Sequence, residues 1–154
     1  MAEYGFHTVR GYQLLQEHYG ILTPALEDYL EMIYREVQRM GYVRVATLAD
    51  KLNVTPPSVS KMAQKLGKLR LVEYQKYGIL RLTEKGKELG EYLLWRHNTV
   101  EHFFRFMLGE GEIAFMEAEL VEHSLGQESV QLLGKLTIFF EKNPEIWARF
   151  LRDK

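Results

Sequence analysis

The chain has 154 residues, of which 46% are hydrophobic, 27% charged and 12% aromatic. This length and composition predict one globular domain or two small ones, and they exclude a disordered or low-complexity protein. There is no cysteine, which excludes disulfide frameworks, thiolate zinc sites, iron–sulfur clusters and cysteine nucleophiles. No segment approaches the roughly 20 apolar residues of a membrane span, and the first residues lack the apolar core of a signal peptide. We therefore expect a cytoplasmic protein with no membrane partner.

The net charge of −1 conceals an uneven distribution along the chain. Residues 1–40 contain 3 basic and 6 acidic side chains, residues 41–90 contain 10 and 4, and residues 91–154 contain 7 and 11. A basic centre between acidic ends suggests that the middle of the chain binds a polyanion. On charge alone, an ordinary lysine-rich surface explains the pattern equally well.

The first predicted helix begins after Thr23, because a hydroxyl cap followed by proline is a typical helix start. Its apolar residues recur every three or four positions, up to a stop at Gly41: Leu26, Leu30, Ile33, Val37 and Met40. A short extended piece is predicted over Val43–Val45 and a second helix over Ala46–Leu52.

The cap-then-proline signal returns at Thr55, and the following apolar spacing predicts a helix up to about Leu69. The apolar runs 71–74 and 79–82, joined by a turn that contains Gly78, predict a β-hairpin. The predicted elements follow the order of a winged helix-turn-helix domain: helix, short strand, helix, turn, helix and hairpin. The helix after Thr55 is then the recognition helix, and the hairpin is the wing.

The second half of the chain is predicted to be all helical. Thr83 caps a helix that stops at Gly109, and further helices fit Glu112–Leu125, Ser129–Phe140 and Pro144–Leu151. This half is small but rich in Leu, Phe and Trp, which suggests a surface buried against a second copy, so we predict a homodimer.

The predicted fold is therefore mostly α, with an N-terminal winged helix-turn-helix domain over residues 22–90 and a C-terminal helical dimerisation domain over residues 91–154. Residues 1–21 form an extension of unknown role. It is too aromatic for a plain tail, and we expect it to pack against another part of the protein through some of these residues: Tyr4, Phe6, His7, Tyr12, His18 and Tyr19.

The recognition helix has a polar face opposite its apolar stripe, made of Pro57, Ser58, Ser60, Lys61, Gln64, Lys65 and Lys68. Hydroxyl and amide groups can read base edges in the major groove, while ammonium groups neutralise phosphates. The wing adds Lys76, Tyr77 and Arg81, which can reach the DNA backbone or the minor groove. A solvated helix face is the alternative, but the proline-started helix and the wing favour double-stranded DNA as partner.

Three groups of carboxylates and histidines lie off these apolar patterns: Asp28 with Glu31, His97 with Glu101, and Glu119 with Glu122 and His123. The last three fall within an arc of about 100° on one helix face. Taken singly, the groups are also explained as first-turn acids, a core histidine and a solvated acidic surface. Together they are a candidate metal site of oxygen and nitrogen ligands.

Several segments resemble the diphtheria-toxin-repressor family, in particular its short manganese transport regulators: LTPALEDYLEMIY, VTPPSVSKMAQKL, YGILRLTEKGKELG, WRHNTVEHFF and EAELVEH. The resemblance covers residues 22 to about 141. It implies a winged-helix domain joined to a helical metal-binding and dimerisation domain, with divalent metal bound between them. Metal then switches on operator binding and represses transcription of metal-uptake genes, so no enzyme activity is expected.

Carried over position by position, the resemblance implies two Mn²⁺ ions per subunit in a site formed by Asp28, Glu31, His97, Glu119, Glu122 and His123. Iron-type members carry methionine in place of Asp28 and cysteine in place of Glu119, and the hard oxygen ligands here favour manganese. Affinity still follows the Irving–Williams order, so Fe²⁺, Co²⁺, Zn²⁺ or Cd²⁺ can substitute. The second site of iron-type members uses a histidine where Phe115 stands, although Glu101 matches its other ligand.

Two alternatives remain open from the sequence. One is a winged-helix regulator that responds to iron, zinc or a small organic ligand. The other is a di-metal carboxylate enzyme, which is disfavoured because such helical bundles use paired Glu-x-x-His motifs and this sequence contains none.

Overall fold

A computed structural model describes residues 6–18 and 20–153. The helices are α1 (Phe6–Glu17), α2 (Pro24–Met40), α3 (Val45–Leu52), α4 (Pro56–Lys68), α5 (Glu84–Leu108), α6 (Glu112–Val121), α7 (Gln127–Lys142) and α8 (Pro144–Arg152). The strands are β1 (Val43–Arg44), β2 (Val72–Gln75) and β3 (Ile79–Leu82). The chain divides into two compact units, Met1–Leu94 and Trp95–Lys154. In the described part of the chain, no helix combines the length and apolarity needed to cross a bilayer.

The helix boundaries follow the local signals of the sequence. Thr23 Oγ1 accepts a hydrogen bond from the Leu26 N–H at 3.4 Å, and Thr55 Oγ1 accepts one from the Ser58 N–H at 3.4 Å. Each threonine is followed by proline, whose missing N–H costs nothing in the first turn. Gly41 ends α2 in the left-handed conformation, with φ 78°. These predicted starts and stops are confirmed.

The three strands form an antiparallel sheet in the order β1–β3–β2. β2 pairs with β3 with Val72 opposite Leu82, and a 3₁₀ turn, Lys76–Gly78, joins the two strands. Tyr77 (φ 64°) and Gly78 (φ 69°) are both left-handed, a conformation that glycine adopts at no steric cost. Together with α3 and α4, this hairpin confirms the predicted winged helix-turn-helix.

The first unit has an extended apolar core to which α2, α3, α4, β3 and α5 contribute. Fully buried side chains are Leu30, Ile33, Leu48, Val59, Leu66, Leu80 and Leu89. Of these, Leu30, Ile33, Val59 and Leu66 lie on the stripes whose three- and four-residue spacing predicts α2 and α4, while Leu80 lies in β3. The beginning of α5 packs closely on α2, since a Cβ added to Gly90 would lie 2.7 Å from the Tyr34 Cβ.

The N-terminal segment contains α1, a helix that no pattern in the sequence predicts. Gly11 lies directly against α5, because an added Cβ would lie 2.4 Å from the Tyr92 Cβ and 2.5 Å from the Glu88 carbonyl oxygen. The Tyr12 ring is 5.7 Å from the Tyr92 ring, centroid to centroid. For Tyr12, the expected packing of the aromatic extension is observed, and the surface that it contacts is the first half of α5.

Two further features concern the end of α1. His18 Nδ1–H donates to the Leu14 carbonyl oxygen at 2.8 Å, and Leu14 is fully buried. Packing was also expected of Tyr4, Phe6, His7 and Tyr19. Their side chains lie outside the part of the chain that the structure describes.

The second unit has a much smaller apolar core. Val100, Ala118 and Val130 are fully buried at its centre. A cluster of aromatic rings joins α5, α7 and α8, with Trp147 4.8 Å from Phe106 and 5.1 Å from Phe140. The predicted helices 129–140 and 144–151 are each confirmed and run slightly further, to Gln127–Lys142 and Pro144–Arg152.

Candidate metal centre and nucleic-acid interface

His97 is surrounded by carboxylates in the second unit. Its Nε2 lies 3.1 Å from Oε2 of Glu101, one turn further along α5. Its Nδ1 lies 3.2 Å from Oε1 of Glu119 at the end of α6, and 3.3 Å from Oε2 of Glu122 in the following turn. His97 is 5% exposed. Three of the six predicted ligands therefore meet at one imidazole nitrogen.

This arrangement fits a divalent cation. A carboxylate accepts hydrogen bonds and cannot donate them, so the space between His97 Nδ1, Glu119 and Glu122 must hold either a proton or a metal ion. Glu122 is 1% exposed, and its Oε2 accepts no hydrogen bond within the described part of the chain. A buried ionised carboxylate is costly unless a positive charge balances it. Oxygen and imidazole ligands are the types that Mn²⁺ and similar ions take.

His123 lies beside this group and contacts an arginine that the sequence analysis did not single out. Arg96 Nη2 donates to His123 Nδ1 at 3.1 Å, and His123 Nε2 is 3.8 Å from Glu122 Oε1. Arg96 is 2% exposed. Its position in the apolar pattern of α5 hides this role, because its partner lies 27 residues away in the chain.

The backbone that carries Glu122 and His123 differs from the prediction. The sequence predicts one helix over Glu112–Leu125, but α6 ends at Val121 and the next three residues, Glu122–Ser124, form a 3₁₀ turn. Such a turn advances about 120° per residue, against about 100° in an α-helix. The predicted helix is therefore wrong beyond Val121, although Glu119 and Glu122 still lie on the same side, since both are within 3.3 Å of His97 Nδ1. The apolar spacing in this segment suits both backbone types, so it could not distinguish them.

Asp28 and Glu31 lie one turn apart on α2, in the first unit. Glu31 Oε1 accepts hydrogen bonds from Arg35 Nη2 at 2.6 Å and from Arg35 Nε at 2.9 Å. This pair, four residues apart on one helix, holds the Glu31 carboxylate in place. The membership of Asp28 and Glu31 in a metal site stays a prediction.

The polar face of α4 is open to solvent, as a groove-binding helix requires. Its exposed residues are Pro57, Ser58, Lys61, Gln64 and Lys65, and Ser60 is half-buried. The opposite face is anchored by Val59, Ala63 and Leu66, which are at most 1% exposed. The helix thus presents hydroxyl, amide and ammonium groups outward while its apolar side fixes its position.

The wing carries exposed residues of the predicted DNA-binding set, Lys76, Tyr77 and Arg81. Tyr77 is 88% exposed and has a positive φ of 64°, a conformation that costs a non-glycine residue energy and is concentrated at functional sites. Tyr74 of β2 forms a hydrogen bond between its hydroxyl and Ser60 Oγ at 3.2 Å. This bond ties the wing to α4, and sequence analysis missed it because Tyr74 belongs to the apolar run of the hairpin.

Family models match both halves of the chain. Residues 21–80 match "Iron dependent repressor, N-terminal DNA binding domain", and residues 83–152 match "Iron dependent repressor, metal binding and dimerisation domain". The chain belongs to the iron-dependent repressor family. The family resemblance and the fold class expected from the sequence are confirmed, since the two halves of the chain match a DNA-binding domain and a metal-binding and dimerisation domain.

The chain is similar to characterised members of this family. It is 42% identical over 123 residues to the HTH-type transcriptional regulator MntR of Bacillus pumilus, covering 80% of this chain and 85% of that protein. Among solved structures, the manganese regulator SloR is 34% identical with a TM-score of 0.64, over 74% of this chain and 54% of that one. IdeR of T. acidophilum is 31% identical with a TM-score of 0.61, over 70% and 51%. The chain thus spans about half the length of the repressors of known structure.

Proposed function

We propose that this chain is a manganese-dependent transcriptional repressor of metal-uptake genes, which binds its operator as a homodimer when divalent metal is bound. The observation that carries the proposal is the group in which buried His97 Nδ1 lies within 3.3 Å of oxygens of buried Glu122 and of partly exposed Glu119. Similarity to the manganese regulator SloR supports manganese as the metal. Similarity to the transcriptional regulator MntR supports control of transcription.

The residues that would hold metal are those implied by the resemblance: Asp28, Glu31, His97, Glu119, Glu122 and His123. Four carboxylates and two neutral imidazoles carry a charge of about −4, which two divalent ions per subunit balance. Bound metal supplies the positive charge that lets these carboxylates approach one another. Hard oxygen ligands favour manganese, while Fe²⁺, Co²⁺, Zn²⁺ and Cd²⁺ are possible substitutes.

Metal would act on DNA binding through the two domains. Without a cation, two carboxylates about 5 Å apart repel by roughly 3 kcal/mol at an effective dielectric constant of 20. A metal shared by α2 of the DNA-binding domain and by the second domain would restrict the angle between them. A dimer reads two half-sites about 34 Å apart, so this restriction favours binding. A coupling of about 1–3 kcal/mol corresponds to about 5- to 150-fold in operator affinity.

The proposed DNA-binding residues comprise the polar face of α4 and the wing: Pro57, Ser58, Ser60, Lys61, Gln64, Lys65, Lys76, Tyr77 and Arg81. The serines and Gln64 would read base edges, and the lysines would neutralise phosphates. Tyr77 and Arg81 would contact the backbone or the neighbouring minor groove. Tyr74 joins this set as the residue that ties the wing to α4.

The proposed dimer surface is the exposed apolar part of the second unit. The α6 stripe consists of Ile113, Met116 and Leu120, which are 68%, 56% and 80% exposed. The α7 stripe consists of Leu132, Leu136 and Phe139, which are 64%, 45% and 49% exposed. Contiguous apolar surface is uncommon on monomers and marks interaction sites, and the match to a dimerisation domain makes a second copy the partner.

The test is a gel shift on a DNA duplex that manganese-loaded wild-type protein has selected from a random pool. Manganese, iron, zinc and chelator are compared in parallel, with Glu119→Ala as the test variant. Glu117→Ala is the matched control, because Glu117 lies on the same helix and is exposed. We expect manganese to strengthen wild-type and Glu117→Ala binding about 5- to 150-fold, while Glu119→Ala stays dimeric and loses the response.

Two results would contradict the proposal. One is wild-type binding that is as strong in chelator as in manganese. The other is a Glu119→Ala protein that still responds to manganese as the wild type does. A response to zinc or iron without a response to manganese would overturn the metal assignment alone.

A further inference from the structure

Glu101 contacts His97 through the ring nitrogen that points away from the candidate metal ligands. Its Oε2 lies 3.1 Å from His97 Nε2, whereas Glu119 and Glu122 lie against Nδ1. Glu101 is the same chemical type as those two residues, so composition alone would assign it as another ligand. Its surroundings indicate a different role.

The other oxygen of Glu101 is held by an arginine. Arg105, one turn further along α5, donates to Glu101 Oε1 from Nε at 2.8 Å and from Nη2 at 2.6 Å. Arg105 Nη1 also donates to Glu110. Hydrogen bonds to Glu101, and next to Glu110, raise the pKa of Arg105 above its ordinary value. The guanidinium is therefore a permanent positive charge beside Glu101.

These contacts determine which atoms of Glu101 and His97 face the candidate metal ligands. Oε1 of Glu101 accepts hydrogen bonds from Arg105, which balances its charge, and Oε2 lies against His97 Nε2. Glu101 therefore occupies Nε2 and leaves Nδ1 as the ring nitrogen that faces Glu119 and Glu122. A histidine oriented by a carboxylate in this way is the usual arrangement for a metal-binding imidazole.

Phe115 completes the surroundings of the His97 ring. Its ring packs edge-on, with centroids 6.2 Å apart and planes at 68°. It offers no ligand atom, so its contact with the imidazole is one of packing. The ring is thus oriented by Glu101 at one nitrogen and by an aromatic neighbour at its edge.

We propose that Glu101, held by Arg105, is a positioning residue that directs His97 Nδ1 toward Glu119 and Glu122 and does not itself bind metal. Arg105 supplies a fixed internal cation where a further metal ion would otherwise be needed to balance Glu101. This inference rests on the proposed function for the ions themselves. The orientation of the His97 ring, however, is a property of the metal-free chain and is measurable without them.

The experiment compares the full-length wild type with Glu101→Ala, Glu101→Gln and Arg105→Met. Glu141→Ala is the matched control, because Glu141 also accepts from a histidine of α5, His102 Nε2 at 2.6 Å, but lies outside the group around His97. Manganese binding is measured by calorimetry, and the orientation of the His97 ring from crystal structures of the metal-free protein. Thermal melting checks that each variant folds.

We expect Glu101→Ala to bind manganese about 10- to 100-fold more weakly, the usual effect of losing a residue that orients a ligand, with the number of ions unchanged. Arg105→Met has a smaller effect in the same direction. Glu101→Gln recovers most of the affinity, because its amide oxygen still accepts from Nε2–H. In the metal-free wild type His97 Nδ1 faces Glu119 and Glu122, in Glu101→Ala the ring no longer keeps this orientation, and Glu141→Ala behaves as the wild type in every respect.

The inference is overturned if Glu101→Ala binds one ion fewer per chain while the rest bind as before, because Glu101 is then a ligand. It is also overturned if neither the affinity nor the orientation of the His97 ring changes. A wild type that binds no manganese would instead contradict the proposed function, and the ring orientation would still test the role of Glu101.

Discussion

The two units of the chain are stabilised in different ways. In the first unit, most helices and strands contribute fully buried aliphatic side chains, and the buried charged residues of its described part are Glu27 and Glu36, of which Glu36 pairs with Lys51 at 3.0 Å. In the second, buried hydrophobic residues within the described part of the chain are confined to Val100, Ala114, Ala118 and Val130. Its interior instead contains buried polar and charged side chains: Arg96, His97, Glu122 and Thr137.

This difference indicates what each unit needs to be stable. A domain with an aliphatic core can fold by itself, and its polar surface is then free to bind DNA. The second unit combines a small apolar core and the buried carboxylate of Glu122 with exposed apolar stripes. It is therefore suited to a sensor, because a bound cation and a second copy would each add to its stability.

The largest expected effect is on assembly. A quadruple variant replaces Met116, Leu120, Leu132 and Leu136 by glutamate, which places two charges in the α6 stripe and two in the α7 stripe. Burying these charges in an interface would be costly, so the variant should not associate. We expect a monomer at micromolar concentration by analytical ultracentrifugation. Met40→Glu is the control, because Met40 is 64% exposed in the first unit, and it should remain dimeric. Variants with one stripe changed then identify which stripe forms the contact, and a dimeric quadruple variant would show that neither does.

The next effect concerns the buried charge. Glu122→Gln keeps the shape of the side chain and removes its charge. In chelator the variant should therefore be more stable than the wild type, with a free energy of unfolding higher by about 1–3 kcal/mol, because the substitution removes the penalty of a buried unsatisfied group. The same variant should lose the stabilisation by manganese that the wild type gains. Urea unfolding measures both, and Glu117→Gln on the exposed face of α6 serves as control. A Glu122→Gln chain that is less stable than wild type in chelator would contradict the assignment of Glu122 as an unbalanced charge.

The smallest effect is expected at the surface of the first unit. Lys61→Ala and Lys65→Ala should each weaken binding to all DNA sequences and reduce the slope of log affinity against log salt concentration by about 1. Folding should be unaffected, because both side chains are exposed. Lys135→Ala, an exposed lysine of α7, is the control. Unchanged salt slopes in the two α4 variants would mean that this face does not contact phosphates.

Features set by neighbouring residues were predictable from the sequence. The caps at Thr23 and Thr55, the end of α2 at Gly41 and the turn at Gly78 each depend on a few consecutive residues, and all are found in the structure. The ligand-type residues around His97 were also identified, because carboxylates and histidines stand out when they lie off an apolar pattern.

Features that depend on distant partners were not predictable. Arg96 fits the apolar spacing of α5, and only the fold shows that it contacts His123. Tyr74 belongs to an apolar strand, yet its hydroxyl binds Ser60 on α4. The helix α1 has a weak apolar pattern, and it is held by the close fit of Gly11 on α5.

The central claim is that His97, Glu119 and Glu122 form part of a manganese site. Anomalous diffraction from crystals of the manganese-loaded protein, recorded on both sides of the manganese absorption edge, tests this claim most directly. The account predicts a manganese peak bonded to His97 Nδ1 and to oxygens of Glu119 and Glu122. Manganese bound only elsewhere in the protein, with a proton left between these three side chains, would contradict it.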